Sequence, residues 1–344
     1  MTEALGPVML DIAGAVLSPA ECELLRHPLL GGVILFARNY RSPRQLCELT
    51  AAIRALRRPE LLIAVDHEGG RVQRFQEGFT RLPPMRRLGT AWERDPAQAC
   101  AAAGDTAYVL ASELLRCGLD FSFAPVLDVD FGASGVIGDR AFHSDPGAIA
   151  QLASAFIGGL REAGMASVGK HFPGHGFASA DSHLALPVDE RSYAEIDATD
   201  LLPYRELIKA GLAAIMPAHV LYPKVDAQPA GYSSFWLRQV LRARLGFDGM
   251  IFSDDLSMQG ARGAGGVVAR AEAALAAGCD MVLLCNAPES ARELLDGLAT
   301  GALDPRRAEA MRGLRPQPGH AALGVDPRYV QAKAGLERLL AVCA

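Results

Sequence analysis

Val8-Met9-Leu10-Asp11-Ile12-Ala13-Gly14-Ala15 is the stretch on which the fold turns. Val8–Ile12 is a short apolar run of the kind that forms a buried strand, and the residues after it discriminate between two architectures. A doubly wound dinucleotide sheet needs a glycine-rich phosphate turn after its first strand. Asp11–Ala15 has no G-x-G-x-x-G pattern. Working outward, similar runs recur at Gly32–Phe36, Leu61–Asp66, Phe121–Asp128, Ala166–His171, Ala213–His219, Met250–Asp254 and Met281–Asn286, making eight expected strands. Segments with helical spacing separate them, and strand–helix alternation implies a parallel sheet. Eight such units predict a single (β/α)8 TIM-type barrel, whose typical length of about 250 residues leaves room here for long loops and an extra C-terminal helix.

The helix starts are well marked. Ser18 precedes Pro19 and Glu21, Ser42 precedes Pro43 and Gln45, Asp95 precedes Pro96 and Gln98, and Asp145 precedes Pro146. Each pattern supplies an N-cap oxygen with a proline at the first helical position. A helix is expected over Arg262–Ala277, stopped by Gly278, and a last one over Asp326–Leu340 with Leu336, Leu339 and Leu340 as its apolar stripe. Arg315–Gly324 reads as the connection to it. No composition shift marks a second domain, so residues 1–344 are expected to form one catalytic domain.

The chain has 344 residues, half of them apolar, and a formal charge of −5. No basic run exceeds a pair such as Arg57-Arg58 or Arg86-Arg87, so the footprint of a nucleic-acid binder is missing. The seven cysteines, Cys22, Cys47, Cys100, Cys117, Cys279, Cys285 and Cys343, lack C-x-x-C spacing and read as small core residues in a reducing compartment. The N-terminus has no basic n-region and no apolar run reaches the roughly 18 residues of a membrane span, which predicts a cytoplasmic protein with no membrane partner.

The chemistry gathers in Lys170-His171-Phe172-Pro173-Gly174-His175-Gly176 and Asp181-Ser182-His183. Pro173, Gly174 and Gly176 forbid a regular helix, so these polar side chains belong to a shaped loop, where function concentrates. The spacing of His171 and His175 would suit a metal on a helix face, but a Pro-Gly pair lies between them. A loop-built site using His171, His175, Asp181 and His183 keeps a metal-dependent barrel hydrolase open. Asp181 and His183, two apart, point to one side of an extended segment, and a carboxylate beside an imidazole fixes its tautomer and favours its charged form.

In a barrel the active site lies at the C-terminal ends of the strands. Asp66, Asp128, Lys170, His171, His219, Asp254, Asp255 and Asn286 all fall there, and Asp66-His67-Glu68-Gly69-Gly70-Arg71-Val72-Gln73-Arg74 continues the third strand. Adjacent Asp254 and Asp255 point to opposite faces, so one faces the site and the other caps the next segment.

The loop Lys170–Gly176, with Asp181-Ser182-His183 after four intervening residues, resembles the signature of the β-N-acetylglucosaminidases of glycoside hydrolase family 3. The similarity extends to Asp66–Arg74, to Gly138-Asp139-Arg140-Ala141-Phe142 and to Phe252-Ser253-Asp254-Asp255-Leu256. The resemblance implies a retaining β-N-acetylhexosaminidase with no cofactor or metal. By it Asp254 is the nucleophile, His183 the acid/base with Asp181 as its partner, and Asp66, Arg74, Arg140, Lys170 and His171 bind N-acetylglucosamine. It also implies a small-molecule substrate, N-acetylglucosaminyl-1,6-anhydro-muropeptides from peptidoglycan recycling. His67 departs from the glutamine common at that position. A non-catalytic amino-sugar-binding protein stays open beside these readings, as does phosphate in place of water as acceptor.

Overall fold

The computed structural model describes residues 4–132, 134–178, 186–299, 301–313 and 323–342. Its strands in chain order are β1 Val8–Asp11, β2 Leu30–Leu35, β3 Leu62–Val65, β4 His67–Gly69, β5 Val72–Gln73, β6 Phe121–Ser122, β7 Val168–Phe172, β8 Ala214–Pro217, β9 Met250–Asp255 and β10 Met281–Leu284. Eight of them form one parallel sheet in the order β6-β3-β2-β1-β10-β9-β8-β7. The two ends meet through parallel bridges Phe121↔Ala166 and Val126↔Lys170, with Val168 N donating to Ala124 O at 2.8 Å and Leu127 N to Lys170 O at 2.6 Å. The sheet therefore rolls into a TIM-type barrel with helices outside it. Its interior is filled: Phe121, Phe123 and Phe252 are fully buried, with ring centroids 5.2–5.4 Å apart.

Each expected strand appears, displaced by a residue or two except at β6. That ladder stops at Ser122 although the apolar run continues to Asp128. Pro125 has no N–H to donate, so pairing lapses and resumes as a single bridge at Val126. The antiparallel pair β4–β5 was not foreseen; Gly69 (φ 115°) and Gly70 (φ 53°) make its turn in a backbone region that other residues avoid.

The caps form as the sequence indicates. Ser18, Ser42, Asp95 and Asp145 accept from backbone N–H groups at the starts of Pro19–Leu24, Pro43–Ala55, Pro96–Arg116 and Pro146–Ala163. The helix expected from Arg262 begins instead at Val267, because Gly265 at φ 100° breaks any earlier helical course. The last helix is Pro327–Val342, and its buried face is Tyr329, Ala332 and Leu336; of the expected stripe Leu336 is fully buried and Leu339 packs against the core, while Leu340 is 38 % exposed. Most of the Arg315–Gly324 connection, Asp181, His183 and Cys343 lie outside the described residues. Among the described residues no helix is long and apolar enough to cross a membrane.

Candidate active site

At the C-terminal ends of the strands a cleft of about 820 Å³ opens. Asp66, Arg74, Arg140, Lys170, His171 and Asp254 all line it. The barrel brings them together from β3, the end of β5, the turn after residue 137, β7 and β9, across as many as 188 positions of sequence between Asp66 and Asp254.

One wall is a charged network. Lys170 Nζ donates to Asp66 Oδ1 at 2.8 Å and reaches Glu68 Oε1 at 2.7 Å. Arg140 grips Glu68 with two parallel bonds, Nε to Oε2 and Nη2 to Oε1, both 2.8 Å. Arg74 Nη2 stands 3.7 Å from Asp66 Oδ2. Burial alone would raise Glu68, but Arg140 and Lys170 hold its carboxyl well below the usual range. Burial would likewise discharge Lys170, yet Asp66 and Glu68 keep its ammonium above its ordinary value. Asp66, the more exposed carboxylate, is thus a fixed acceptor beside cationic donors, suited to sugar hydroxyls.

Glu68 is the residue that sequence reasoning missed. It stood in view between His67 and Gly69, but its importance lies in partners 72 and 102 positions away. No local signal singled it out, because the cations it neutralises, Arg140 and Lys170, come from other elements of the barrel.

The glycine-rich loop is shaped by close packing. A Cβ on Gly174 would overlap the Asp200 carboxylate, and one on Gly176 would overlap the Val129 carbonyl. The Lys170–His171 and Phe172–Pro173 peptide bonds are cis. Asp128, buried behind the cleft, accepts from His171 Nδ1 at 2.7 Å and from the His175 backbone N–H at 2.7 Å, which aims the far side of the His171 ring at the cleft. His171 and His175 lie with ring centroids 6.0 Å apart.

Two strand-end residues do not face the cleft. Asp128 serves from behind, and His219 is fully buried with Nε2 3.2 Å from the Asp255 carbonyl oxygen. Asn286 does line the cleft, in the left-handed region at φ 56° that asparagine tolerates, and accepts from Arg38 Nη1 at 2.9 Å. Both aspartates at the end of β9 line the cleft, so they differ in their bonding rather than by face. Asp255 Oδ1 accepts from Ser257 N at 2.9 Å and Cys285 N at 3.0 Å, and Oδ2 from Ser257 Oγ at 2.8 Å. Its carboxylate is spent on tying β9 to β10. Asp254 accepts the Asp255 N–H at 2.8 Å through Oδ1.

The model for the glycosyl hydrolase family 3 N terminal domain matches residues 9–311. A β-hexosaminidase of Nitrosospira multiformis is 60% identical over 332 residues, covering 96% of this chain and 95% of the relative. One of Thiobacillus denitrificans is 58% identical over 341 residues, covering 97% and 95%. Among solved structures, NagZ from Neisseria gonorrhoeae in complex with N-trifluoroacetyl-D-glucosamine superposes with a TM-score of 0.92 at 50% identity over 98% of each chain. By matches of this length and identity, the chain belongs to glycosyl hydrolase family 3 as a NagZ-like β-N-acetylglucosaminidase.

Proposed function

We propose that the whole chain, residues 1–344, is one catalytic domain that removes terminal β-linked N-acetylglucosamine from N-acetylglucosaminyl-1,6-anhydro-muropeptides in cytoplasmic peptidoglycan recycling. The observation that carries the reading is the position of Asp254 at the end of β9 in the same cleft as Asp66, Arg74, Arg140, Lys170 and His171. The gonococcal relative, bound to an N-acylated glucosamine, supports the sugar assigned to that cleft. Asp254 attacks the anomeric carbon, the glycosidic bond breaks, and the leaving oxygen takes a proton from His183; His183 then deprotonates water, which displaces Asp254. Asp181 orients His183. The charged wall binds the sugar hydroxyls, and its fixed geometry holds the ring for in-line attack.

Labelling by a fluorinated slow substrate tests the nucleophile, and Asp254 is the residue expected to carry the sugar. A label elsewhere overturns the assignment. Replacing His183 with alanine tests the acid/base. An alkyl sugar oxygen needs protonation to leave and a nitrophenolate needs little, so His183→Ala slows natural disaccharides far more than 4-nitrophenyl N-acetyl-β-glucosaminide. Equal losses on both substrates would make His183 a positioning residue. Activity in excess chelator is expected to persist; loss restored by a divalent ion would favour the metal-dependent hydrolase.

A further inference from the structure

Away from the cleft, two cysteines reach toward each other between helices. Cys47 lies within Pro43–Ala55, and Cys117 caps the C-terminal end of Pro96–Arg116. Cys47 Sγ lies 3.7 Å from the Arg116 carbonyl oxygen, and Cys117 Sγ 3.9 Å from the Pro43 carbonyl oxygen, so each thiol contacts the helix that carries the other. Around them the backbone is pinned: Thr50 Oγ1 donates to Cys117 O at 2.7 Å and Arg54 Nη2 to Gly118 O at 2.6 Å. Gly118, at φ 82°, allows this approach, since a Cβ there would press on Thr50.

The pair is reachable. A cavity of about 330 Å³ is lined by both cysteines, with Arg44, Phe79, Glu113 and Tyr329 among its other walls. That is space for several molecules the size of water, each of which takes about 30 Å³ of liquid. Cys47 is half-buried and Cys117 buried. The neighbouring Cys117 thiol, with the Arg116 guanidinium nearby, holds the Cys47 thiol below its ordinary range against the effect of burial. Burial pushes Cys100, Cys279 and Cys285 the other way. Among these cysteines, therefore, the thiolate that an oxidant needs is favoured where a second thiol stands ready.

We propose that Cys47 and Cys117 form an oxidisable dithiol, a site of reversible modification by hydrogen peroxide distinct from the sugar-binding cleft. In the first step the Cys47 thiolate attacks one peroxide oxygen, the O–O bond breaks, and hydroxide leaves to be protonated to water, giving the sulfenic acid. In the second, Cys117 loses its proton and its sulfur attacks the Cys47 sulfur. The S–O bond breaks, water leaves, and a disulfide joins the two helices. Two thiols are oxidised by two electrons and one peroxide is reduced to two waters.

The test uses the full-length protein at pH 7, treated with hydrogen peroxide, alkylated and digested with trypsin. Residues 45–54 and 117–140 each contain one cysteine and end at arginine, so the expected product is these two peptides linked, two hydrogens lighter than their sum and separated by dithiothreitol. Cys117→Ser removes the resolving thiol, and a dimedone adduct then accumulates on Cys47. Aryl-glycosidase activity reports that this variant is folded, and the wild-type linkage measurement does not depend on it. Recovery of both peptides unlinked after peroxide treatment overturns the proposal, as does a dimedone adduct on Cys22 or Cys100 in preference to Cys47.

Discussion

Asp254 and Asp255 line the same cleft, and hydrogen bonding separates their tasks. Asp255 is partly buried and engaged by Ser257 and Cys285, and burial, opposed by those hydrogen bonds and aided by Asp254, raises its carboxyl to about 6. Asp254 opens onto the cleft. Asp254→Asn is expected to lower kcat at least about 1,000-fold, because an amide cannot form the glycosyl ester. Asp255→Asn retains an acceptor for the backbone contacts and is expected to keep substantial activity. It also has a signature in stability. A carboxyl raised in the folded state favours folding most when protonated, below its unfolded value near 4, and that contribution is lost as pH climbs through about 6. The neutral amide has no such loss. Melting temperatures of Asp255→Asn and the parent, measured from pH 4 to 7, are expected to shift in favour of the variant as pH rises; parallel curves would mean that Asp255 ionises as freely in the fold as in the unfolded chain.

The charged wall belongs to the scale of elements, since β4, β7 and the turn at Arg140 meet through Glu68. Removing one member of a buried ion cluster leaves its partners uncompensated, at a cost of roughly 3–5 kcal/mol. Glu68→Gln strands part of the charge of both Arg140 and Lys170. It is expected to lower the melting temperature by about 5 °C and to reduce kcat/KM on the aryl glycoside. An unchanged melting temperature would show that water or Asp66 replaces Glu68 at no cost. This wall also marks the limit of what the sequence discloses. The eight barrel strands and four helix starts were legible because apolar runs and N-caps are decided by neighbours within a few residues. The β4–β5 hairpin was not, because its two strands are too short to show alternation. Nor was the role of Glu68, which depends on contacts made only after the barrel closes. The cleft-lining set was recoverable because strand ends converge in this fold, and the motif at Lys170–Gly176 singled out the loop. The rear support from Asp128 was not legible either, because it joins residues 43 and 47 positions away.

At the scale of the whole molecule, three buried imidazoles govern the response to acid. His67 sits against Phe75 and Phe79, with Nδ1 meeting no hydrogen-bond partner among the described residues, and burial with the nearby charge of Arg74 pushes it down to about 3. Burial also lowers His175, helped by His171, and lowers His219. All three are neutral in the fold at pH 7, whereas in the unfolded chain each returns to about 6.5. As pH falls below that value the unfolded chain takes up protons that the native state refuses, so stability declines by up to about 1.4 kcal/mol per pH unit for each imidazole. Asp255 opposes this by binding a proton in the fold near pH 6, and Asp11 and Asp200, also raised by burial, act in the same sense. Between pH 6.5 and 5.5 His67, which refuses a proton throughout, offsets the partial uptake by Asp255, and His175 and His219 add to its effect. The apparent melting temperature is therefore expected to fall from pH 7 to 5.5. His67→Gln, which places a neutral amide in the aromatic pocket, removes the most strongly lowered of the three imidazoles and is expected to shrink that fall. It is also expected to leave aryl-glycosidase activity near the parent level, because His67 packs against Phe75 and Phe79 and is not among the residues lining the cleft. A variant whose melting temperature fell as steeply as the parent's would show that His67 takes up its proton without unfolding, and that the pocket around it opens in the native state.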